Sequence, residues 1–412
     1  MKIVFRKLFI LKDVLISIFG GFQYGYNTAV IAGALLYIST TFSLTSIQEG
    51  LLVSIILIGA ACSGSFVGIL GNKLGRRWTM MLSALLFLIG TFIATFAGSY
   101  EILLIGRFIS GLGCGIISTI VPIYCTEIAP DEKRGAFAHS NQIAMAAGTL
   151  FAYFCNYLFS FTESWRAMLG LGIAFALVQG VGLFFIKESL SESSTALVRQ
   201  ASWGLLFRPL YRFRVWVAVA IAIFQQLTGV TAVLYFAPTI FERAGYHSGT
   251  QAILATVVIG IINMFSILLS FWLIDRAGRR PLLIASLIGV ILSLSLMAAT
   301  LFLHLPDTLS LVSLMIFLAS YSVGLGPITP LIMAEIFPTQ VRGHAMTFAG
   351  FVGWIVTFTV ALTFLSLANA ITLGGTFVLF ATCSIAGLIF IIKRIPETKN
   401  RSIASIEKEF TK

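Results

Sequence analysis

Twelve long apolar runs divide this chain of 412 residues, and they limit its possible folds more than any other feature. A helix needs about 20 apolar residues to cross about 30 Å of hydrocarbon, and each run has roughly that length. Lipid offers no partner for a free backbone group, so each run is expected to be helical. The runs are 13–38, 50–72, 79–97, 102–124, 138–160, 166–186, 214–238, 251–274, 282–304, 311–333, 345–367 and 373–392. The sequence therefore predicts an all-α membrane protein with twelve transmembrane helices.

The composition indicates that lipid, rather than water or nucleic acid, surrounds the chain. Only 10% of the residues are charged, against about 25% in a soluble globular protein. The formal net charge is +11, but the basic residues stand in short clusters between apolar runs and do not gather on one tail. Such clusters are typical of the positive-inside rule, and no nucleic-acid partner is predicted.

The Lys and Arg residues also predict the orientation of the spans. Both termini and every second connection together hold 24 of the 27 basic residues, whereas the opposite connections hold only Arg166 and Arg243. Basic connections face the cytoplasm, so both termini are predicted to be cytoplasmic, in a plasma membrane or a bacterial inner membrane. The run after residues 1–12 is longer than the apolar core of a signal peptide, and we interpret it as a retained first span.

The cysteines indicate neither a metal site nor a redox function. They lie in or beside apolar runs without metal-type spacing, and they are expected to act as small buried hydrophobic residues. The five are Cys62, Cys114, Cys125, Cys155 and Cys383. Neither a metal nor a cofactor is predicted.

Three motifs recur in register in the two halves of the chain. Gly-Arg-Arg stands at 75–77 and at 278–280, and Glu-x-x-Pro-x-x-x-Arg-Gly at 127–135 and at 335–343. Glu188 after the sixth run corresponds to Glu397 after the twelfth. A duplicated six-helix unit is typical of transporters that bind substrate between their repeats. The predicted domains are an N-terminal six-helix bundle, a cytoplasmic linker, a C-terminal six-helix bundle and a cytoplasmic tail, at 1–186, 187–213, 214–392 and 393–412.

The repeated charges support two interpretations. Arginine pairs well with carboxylates, so these residues are able to close the cytoplasmic side and to separate when that side opens. Such a latch would bias an alternating-access equilibrium. Alternatively, the charges are solvated and only mark the cytoplasmic side. The repeated spacing favours the latch, whose predicted members are Arg76, Arg77, Glu127, Arg134, Arg279, Arg280, Glu335 and Arg342.

Further motifs are spread over essentially the whole chain. They are Gly-Tyr-Asn-Thr-Ala-Val-Ile at 25–31, Gly-Arg at 106–107 before three glycines at 111, 113 and 115, Pro-x-Tyr-x-x-Glu at 122–127, Gln-Gln-Leu-Thr-Gly at 225–229 and Pro-Glu-Thr-Lys at 396–399. As a set, they make the chain resemble the sugar porters of the major facilitator superfamily, which include facilitative glucose transporters and bacterial xylose symporters. The resemblance implies two pseudo-symmetric six-helix bundles that transport a monosaccharide or similar polyol by alternating access.

Uncharged hydrogen-bonding side chains within the spans are candidates for a sugar site. An amide offers a donor and an acceptor to a hydroxyl group, and at lipid depth it is costly unless it faces a bundle interior. The resemblance implies that motif positions line the site and that Trp354 stacks on a pyranose ring. The alternatives are amides that only join neighbouring helices and a tryptophan that faces lipid. The predicted substrate-binding residues are Gln142, Gln225, Gln226, Thr231, Asn263 and Trp354.

Two of these positions depart from the family pattern. Thr231 stands where the family usually has Asn, and Pro330 stands where it has Trp. One aromatic wall of the site is therefore missing, which leaves the identity of the sugar open. The candidates to replace this wall are Tyr235, Phe236, Tyr321 and Phe351.

The energy source depends on titratable groups within the spans. We place none of the sixteen acidic residues near the middle of a span, and Asp13 is expected to begin the first span. By the resemblance, proton-coupled relatives carry Asp at the position of Asn27, paired with the arginine that corresponds to Arg107. Asn27 does not titrate, and an intramembrane arginine needs a partner, for which Asn27 and backbone carbonyls are candidates. A facilitative uniporter is predicted, with a proton-coupled sugar symporter as the alternative.

A sensor and an enzyme are the competing classes of function. A sugar sensor built on a transporter fold needs a signalling tail, and the segment after Arg394 is short. An enzyme is not predicted, because the spans contain no Ser-His-Asp set, metal cluster or pair of carboxylates. The expected partners are a small neutral sugar or polyol and the lipid bilayer, and the chain is expected to function as a monomer.

Overall fold

Helices dominate the structure, a computed structural model that describes residues 2–130, 134–188 and 203–399. The α-helices are α1 (Lys2–Ala29), α2 (Ile31–Phe42), α3 (Ser46–Gly64), α4 (Val67–Lys73), α5 (Arg76–Thr95), α6 (Tyr100–Ile128), α7 (Arg134–Ser160), α8 (Trp165–Leu183), α9 (Pro209–Leu227), α10 (Val230–Arg243), α11 (Gly249–Ala277), α12 (Arg279–Phe302), α13 (Asp307–Ser320), α14 (Gly326–Glu335), α15 (Thr339–Ala370) and α16 (Thr372–Arg394). A 3₁₀ turn at Trp203–Phe207 precedes α9, and a π-helical turn at Tyr321–Leu325 joins α13 to α14.

Eleven helical segments among the described residues are long and apolar enough to cross a membrane. The first predicted span is not one of them; in the structure it is divided between α1, which ends at Ala29, and α2, which begins at Ile31. Together with this divided run, the eleven segments correspond to the twelve predicted spans. The helix itself begins at Lys2, well before the predicted start of the span at residue 13.

Span seven is broken at the glycine of the Gln-Gln-Leu-Thr-Gly motif. Gly229 separates α9 from α10 and has a φ of +83°, which residues with a side chain rarely adopt. A Cβ atom at this position would also lie 2.3 Å from the Phe380 ring. Two residues before Pro238, Phe236 has non-helical dihedral angles. This confirms the kink expected from a proline, which lacks a backbone donor.

Span ten is interrupted by the π-helical turn. α14 begins directly after it, with Pro327 in its first turn and Pro330 in its interior. Proline has no N–H for the carbonyl four residues earlier, so Pro330 leaves the carbonyl of Gly326 without its helical donor. Two prolines within one span favour such an interruption.

The chain forms two compact units. The first unit consists of Met1–Glu192, Ala237–Thr239 and Ser248–Gly260, and the second of Ser193–Phe236, Ile240–His247 and Ile261–Lys412. Residues 189–202 of the predicted linker and 400–412 of the predicted tail lie outside the described residues. The predicted domain boundaries therefore stay a prediction.

In the first unit, glycines let helices touch along their backbones. α6 packs against α3 and α5, and α1 packs along α7. A Cβ atom at Gly25 of α1 would lie 1.9 Å from the carbonyl oxygen of Met145. A Cβ atom at Gly148 of α7 would lie 1.9 Å from the carbonyl oxygen of Phe22. Because helices in lipid associate through small residues, these glycines set the separation of α1 and α7.

The second unit repeats the packing of the first. α5 packs on α6 and α8, and α12 packs on α13 and α16 in the same way. The contact of α1 with α7 has its equivalent in the contact of α9 with α15. Leu283, Ile332 and Phe337 are fully buried in the apolar core of the second unit. The duplication seen in the motifs therefore extends to the packing of the helices.

The outer surfaces of the helices are apolar. Phe92, Val181, Phe265 and Leu292, for example, are 54–66% exposed. Exposed apolar surface on this scale is typical of a lipid-facing or interaction surface and not of a soluble monomer. These side chains are therefore suited to contact lipid tails.

We expect Gly148→Ala to lower the thermal stability of the purified protein, because its Cβ atom would meet the α1 backbone. Overpacking of this kind costs about 1–3 kcal/mol. Gly180→Ala in α8 is the matched control, since a Cβ atom there meets nothing within 4 Å and alanine favours a helix. The measurement is the melting temperature in detergent. Equal melting temperatures for the two variants would contradict the assignment.

Candidate functional site

A distant carboxylate caps the helix that begins with the first Gly-Arg-Arg motif. Gly75 has a φ of +92° and leads the chain into α5. The backbone N–H groups of Arg76 and Arg77 both donate to the carboxylate of Glu188. The free N–H groups and the positive end of a helix dipole favour an anion at this position. Glu188 therefore ties the end of the sixth span to the start of the third.

The side chain of Arg76 forms a buried ion pair. Its Nη2 atom lies 3.0 Å from Oε1 of Glu127, and its Nε atom lies 3.2 Å from the same oxygen. Its Nη1 atom donates to Oδ1 of Asn72 at 3.1 Å. Only 7% of the Arg76 side chain and 10% of the Glu127 side chain are exposed. A buried charge without its partner is strongly destabilising, so these two groups depend on each other.

The second unit contains the same arrangement. Arg279 Nε lies 3.4 Å from Oε1 of Glu335, and the backbone N–H groups of Arg279 and Arg280 donate to the Glu397 carboxylate, each at 3.1 Å. Gly278, with a φ of +89°, leads into α12. The Gly-Arg-Arg motif thus supplies a turn, a capped helix start and an ion-pair partner in both units.

Glu397 is the acceptor for four backbone N–H groups. Partial burial raises the pKa of its carboxyl, but the donors from Lys399, Arg279, Arg280 and Thr398 lower it more, and the net pKa is below the usual value. Hydrogen bonds to the charged form have this effect. The cap is therefore charged at neutral pH and weakens only as the pH falls through the lowered pKa.

The other charged residues of the predicted latch contact backbone carbonyls. Arg77 donates to the carbonyl of Phe184 at 3.0 Å, and Arg280 donates to that of Ile392 at 2.8 Å. Arg342 donates to the Phe337 carbonyl through Nε and Nη2, at 3.3 and 3.2 Å. Arg134 begins α7, but its side chain lies outside the described part of the structure. Six of the eight predicted residues therefore form two equivalent clusters, one in each unit.

Arg107 is buried within the membrane-spanning part of the first unit. It is 1% exposed, and its Nη1 atom donates to the backbone carbonyl of Asn27 at 2.7 Å. In an uninterrupted helix this carbonyl would accept from the N–H of Ile31, but α1 ends at Ala29. The break thus supplies an acceptor at the negative end of the α1 dipole. Of the two predicted kinds of partner, the carbonyl holds the guanidinium.

The Asn27 side chain is engaged with its own surroundings. Its Nδ2 atom donates to the Gln23 carbonyl at 3.1 Å, and its Oδ1 atom accepts from the Thr91 hydroxyl at 3.2 Å. Asn27 is 4% exposed. A neutral amide satisfies both contacts, since it has a donor and an acceptor end, whereas a carboxylate would lose the contact with Gln23.

Asp13 was expected to begin the first span, and in the structure it belongs to the first helix. α1 starts at Lys2, so Asp13 lies inside the helix, and it is 7% exposed. Its carboxylate forms an ion pair of 3.3 Å with Lys12. The helix thus extends beyond the apolar run, and the place of Asp13 at the start of the span stays a prediction.

Gln225 joins α9 to the interrupted span ten. Its Nε2 atom donates to the carbonyls of Leu325 and Gly326, at 3.2 and 3.3 Å. The Gly326 carbonyl is the one that Pro330 leaves without a helical donor. Gln225 therefore supplies the hydrogen bond that the Gly326 carbonyl lacks because of Pro330.

The remaining polar candidates of the second unit form two short contacts. The Thr231 hydroxyl donates to Oε1 of Gln226 at 3.3 Å, and the Ser322 hydroxyl donates to Oδ1 of Asn263 at 2.6 Å. Thr231 and Asn263 are buried, at 4% and 8% exposed, and Gln226 is half-buried. All these groups are uncharged, so they are able to bind hydroxyl groups without holding a charge in the membrane.

Trp354 and Gln142 stand apart from these contacts. Trp354 is half-buried on α15 in the second unit, and Gln142 is exposed on α7 in the first unit. An aromatic ring with one free face is able to stack on an apolar sugar face. Their roles stay predictions.

Several partners were missed by sequence reasoning. Asn72 and Thr398 contact the two ion pairs, the latter by donating its hydroxyl to Oε2 of Glu335. Thr91 and Ser322 contact Asn27 and Asn263, and neither stands in a quoted motif. Thr398 belongs to the Pro-Glu-Thr-Lys motif, which was a usable signal, whereas isolated hydroxyl residues carry none.

Comparisons with known proteins agree with this architecture. A family model described as "Sugar (and other) transporter" matches residues 14–191 and 189–410. The glucose transporter GlcP of Staphylococcus epidermidis is 34% identical over an alignment of 423 positions, which covers 95% of each chain. The galactose-proton symporter of Escherichia coli K12 is 30% identical over an alignment of 429 positions, which covers 95% of this chain and 92% of that protein.

A solved structure extends the likeness to three dimensions. The inward open conformation of the xylose transporter XylE from E. coli matches with a TM-score of 0.85 at 25% identity, over 97% of this chain and 99% of that chain. The predicted twelve-helix major facilitator fold is confirmed by this match. Since the family model also covers both halves, the chain is a multi-pass integral membrane protein and belongs to the sugar porter family of the major facilitator superfamily.

Proposed function

We propose that this protein carries a monosaccharide or similar polyol across the bilayer by alternating access, as a facilitative uniporter. Relatives named as a glucose transporter and a galactose-proton symporter support the class of substrate. The observation that carries the proposal is the set of uncharged amides and hydroxyls buried in apolar spans. Such groups are costly in lipid unless they serve packing or a ligand, and neutral donors and acceptors suit sugar hydroxyls.

The proposed substrate-binding residues are those predicted from the sequence. Gln226, Thr231 and Asn263 would offer hydrogen bonds, Trp354 would stack on the ring, and Gln142 would contribute from α7. Gln225 has a second role, because its contacts with Leu325 and Gly326 would position α14 relative to the amides of α9.

The surroundings of Arg107 support uniport. A proton-coupled carrier needs a group that gains and loses a proton as the site changes sides, and Asn27 does not titrate. The guanidinium of Arg107 donates to the backbone carbonyl of Asn27. Proton symport is the second candidate, because the E. coli relative is named as a galactose-proton symporter.

The two charge clusters would act as the latch on the cytoplasmic side, where both termini are proposed to lie. Each cluster joins helix ends that are separated in sequence by 51–118 residues, so it is able to fix the ends of a bundle. Loosening a cluster would shift the equilibrium between the two access states. The chain is proposed to act as a monomer.

We expect Gln225→Ala and Gln226→Ala to weaken transport of radiolabelled D-glucose, D-xylose or myo-inositol, whichever the wild-type protein carries in proteoliposomes. A sugar hydroxyl that loses its partner costs roughly 1–3 kcal/mol, which raises KM about tenfold for each 1.4 kcal/mol. Gln251→Ala, at an exposed position in the first turn of α11, should transport normally. Unchanged transport in both test variants would remove span seven from the site.

Glu335→Gln should change the rate of uptake or its apparent affinity, because it removes the charge that faces Arg279 while keeping a similar shape. A partly exposed ion pair is worth about 0.2–1 kcal/mol, so a change of up to about fivefold is expected. Glu242→Gln, an exposed acid near the end of α10, is the control. Wild-type rate and affinity for Glu335→Gln would rule out the latch.

Sugar uptake by the wild-type protein should be insensitive to a protonophore and should not acidify the vesicle lumen, as reported by an entrapped pH-sensitive dye. Asn27→Asp places a titratable group beside the Arg107 contact and should make uptake depend on pH. Lumenal acidification driven by sugar in the wild-type protein would establish symport and overturn uniport, while leaving the sugar assignment intact.

A further inference from the structure

A cavity of about 590 Å³ lies where the start of α9 meets the end of α16, away from the polar residues of the proposed sugar site. Its lining consists of Arg212, Phe213, Trp216 and Arg394. Arg212 follows the first residues of α9, and Arg394 is the last residue of α16. Among the described residues, the lining thus combines two guanidinium groups with two aromatic rings and includes no carboxylate.

The aromatic residues form an ordered wall. The rings of Phe213 and Trp216 are stacked, with centroids 6.2 Å apart and planes at 22°, and Trp216 meets Phe390 edge-on at 5.3 Å. Trp216 is 52% exposed and Phe213 is 37% exposed. Exposed aromatic residues near helix ends are typical of the interface between lipid and water. The wall is therefore suited to the depth where headgroups and the first part of the acyl chains meet.

One of the two arginines packs against this wall. The guanidinium carbon of Arg394 lies 5.7 Å from the centroid of the Phe213 ring, a cation–π contact. Both arginines are exposed. A cation at the end of α16 is favoured by the helix dipole, whereas Arg212 near the start of α9 gains nothing from it. Helix stability therefore does not account for Arg212.

The geometry points to a binding site for the phosphate headgroup of an anionic phospholipid. Two planar guanidinium groups offer paired donors to phosphate oxygens, and the aromatic wall offers a surface to the glycerol and upper acyl chain. A free phosphate ion would use only the first of these features. The membrane is also the nearest source of such a ligand, since basic clusters beside spans attract anionic lipids. This inference requires only that the chain spans a bilayer, and it is independent of the transported solute.

The test compares the full chain in nanodiscs of phosphatidylcholine with the same protein in nanodiscs that also contain phosphatidylglycerol. We expect phosphatidylglycerol to raise the melting temperature of the wild-type protein, and Arg212→Gln/Arg394→Gln to lose at least half of this increase. Lys73→Gln, at an exposed lysine in the last turn of α4, should keep the increase. Inorganic phosphate at the same molar excess should leave the melting temperature unchanged.

A full increase in the double variant, or no increase in the wild-type protein, would overturn the proposal. An equal shift with inorganic phosphate would overturn it in favour of a soluble anion. If the double variant does not fold, Arg212→Gln and Arg394→Gln are compared singly, and native mass spectrometry counts the phosphatidylglycerol molecules retained by each. Retention equal to the wild-type count in both would again refute the site. Sugar flux in phosphatidylcholine vesicles is measured alongside and should not change.

Discussion

A backbone group inside a bilayer has to find its partner within the protein, and the interrupted spans of this chain are organised by that requirement. Where α1 ends at Ala29, Arg107 of α6 takes up the carbonyl of Asn27. Where Pro330 frees the carbonyl of Gly326, Gln225 donates to it from α9. The polar residues that a sugar porter places inside its spans therefore also hold together the helices that are not continuous.

The duplicated charge clusters show how a short motif produces a long-range connection. Gly75 and Gly278 take a backbone conformation that exposes the first N–H groups of the following helix, and Glu188 and Glu397 occupy those groups. The adjacent arginine then reaches a carboxylate on a third helix end. Because one motif serves the turn, the cap and the ion pair, a change in it alters all three.

The length of the apolar runs and the repeated motifs were sufficient to predict the twelve spans and the fold. Both are local features of the sequence: apolar length decides whether a segment spans the membrane, and basic residues decide its orientation. The break in span ten was also predictable, since proline acts through its own backbone, whereas the break at Gly229 was not predicted. The start of α1 was not predictable from the apolar run, because a helix can extend beyond the hydrocarbon layer. The partners of Gln225 and Arg107 depend on which helix faces meet, and that information lies in tertiary packing.

The π-helical turn at Tyr321–Leu325 holds one residue more than an α-helical turn of the same height. Were that extra residue absorbed into regular α-helix, every later residue of α14 would rotate by about 100° around the helix axis. The carbonyls that Gln225 now contacts would turn away from α9, and a different face of α14 would be presented in their place. A screw motion of this kind needs no hinge loop, because a change in the hydrogen-bond register of a single helix produces the displacement.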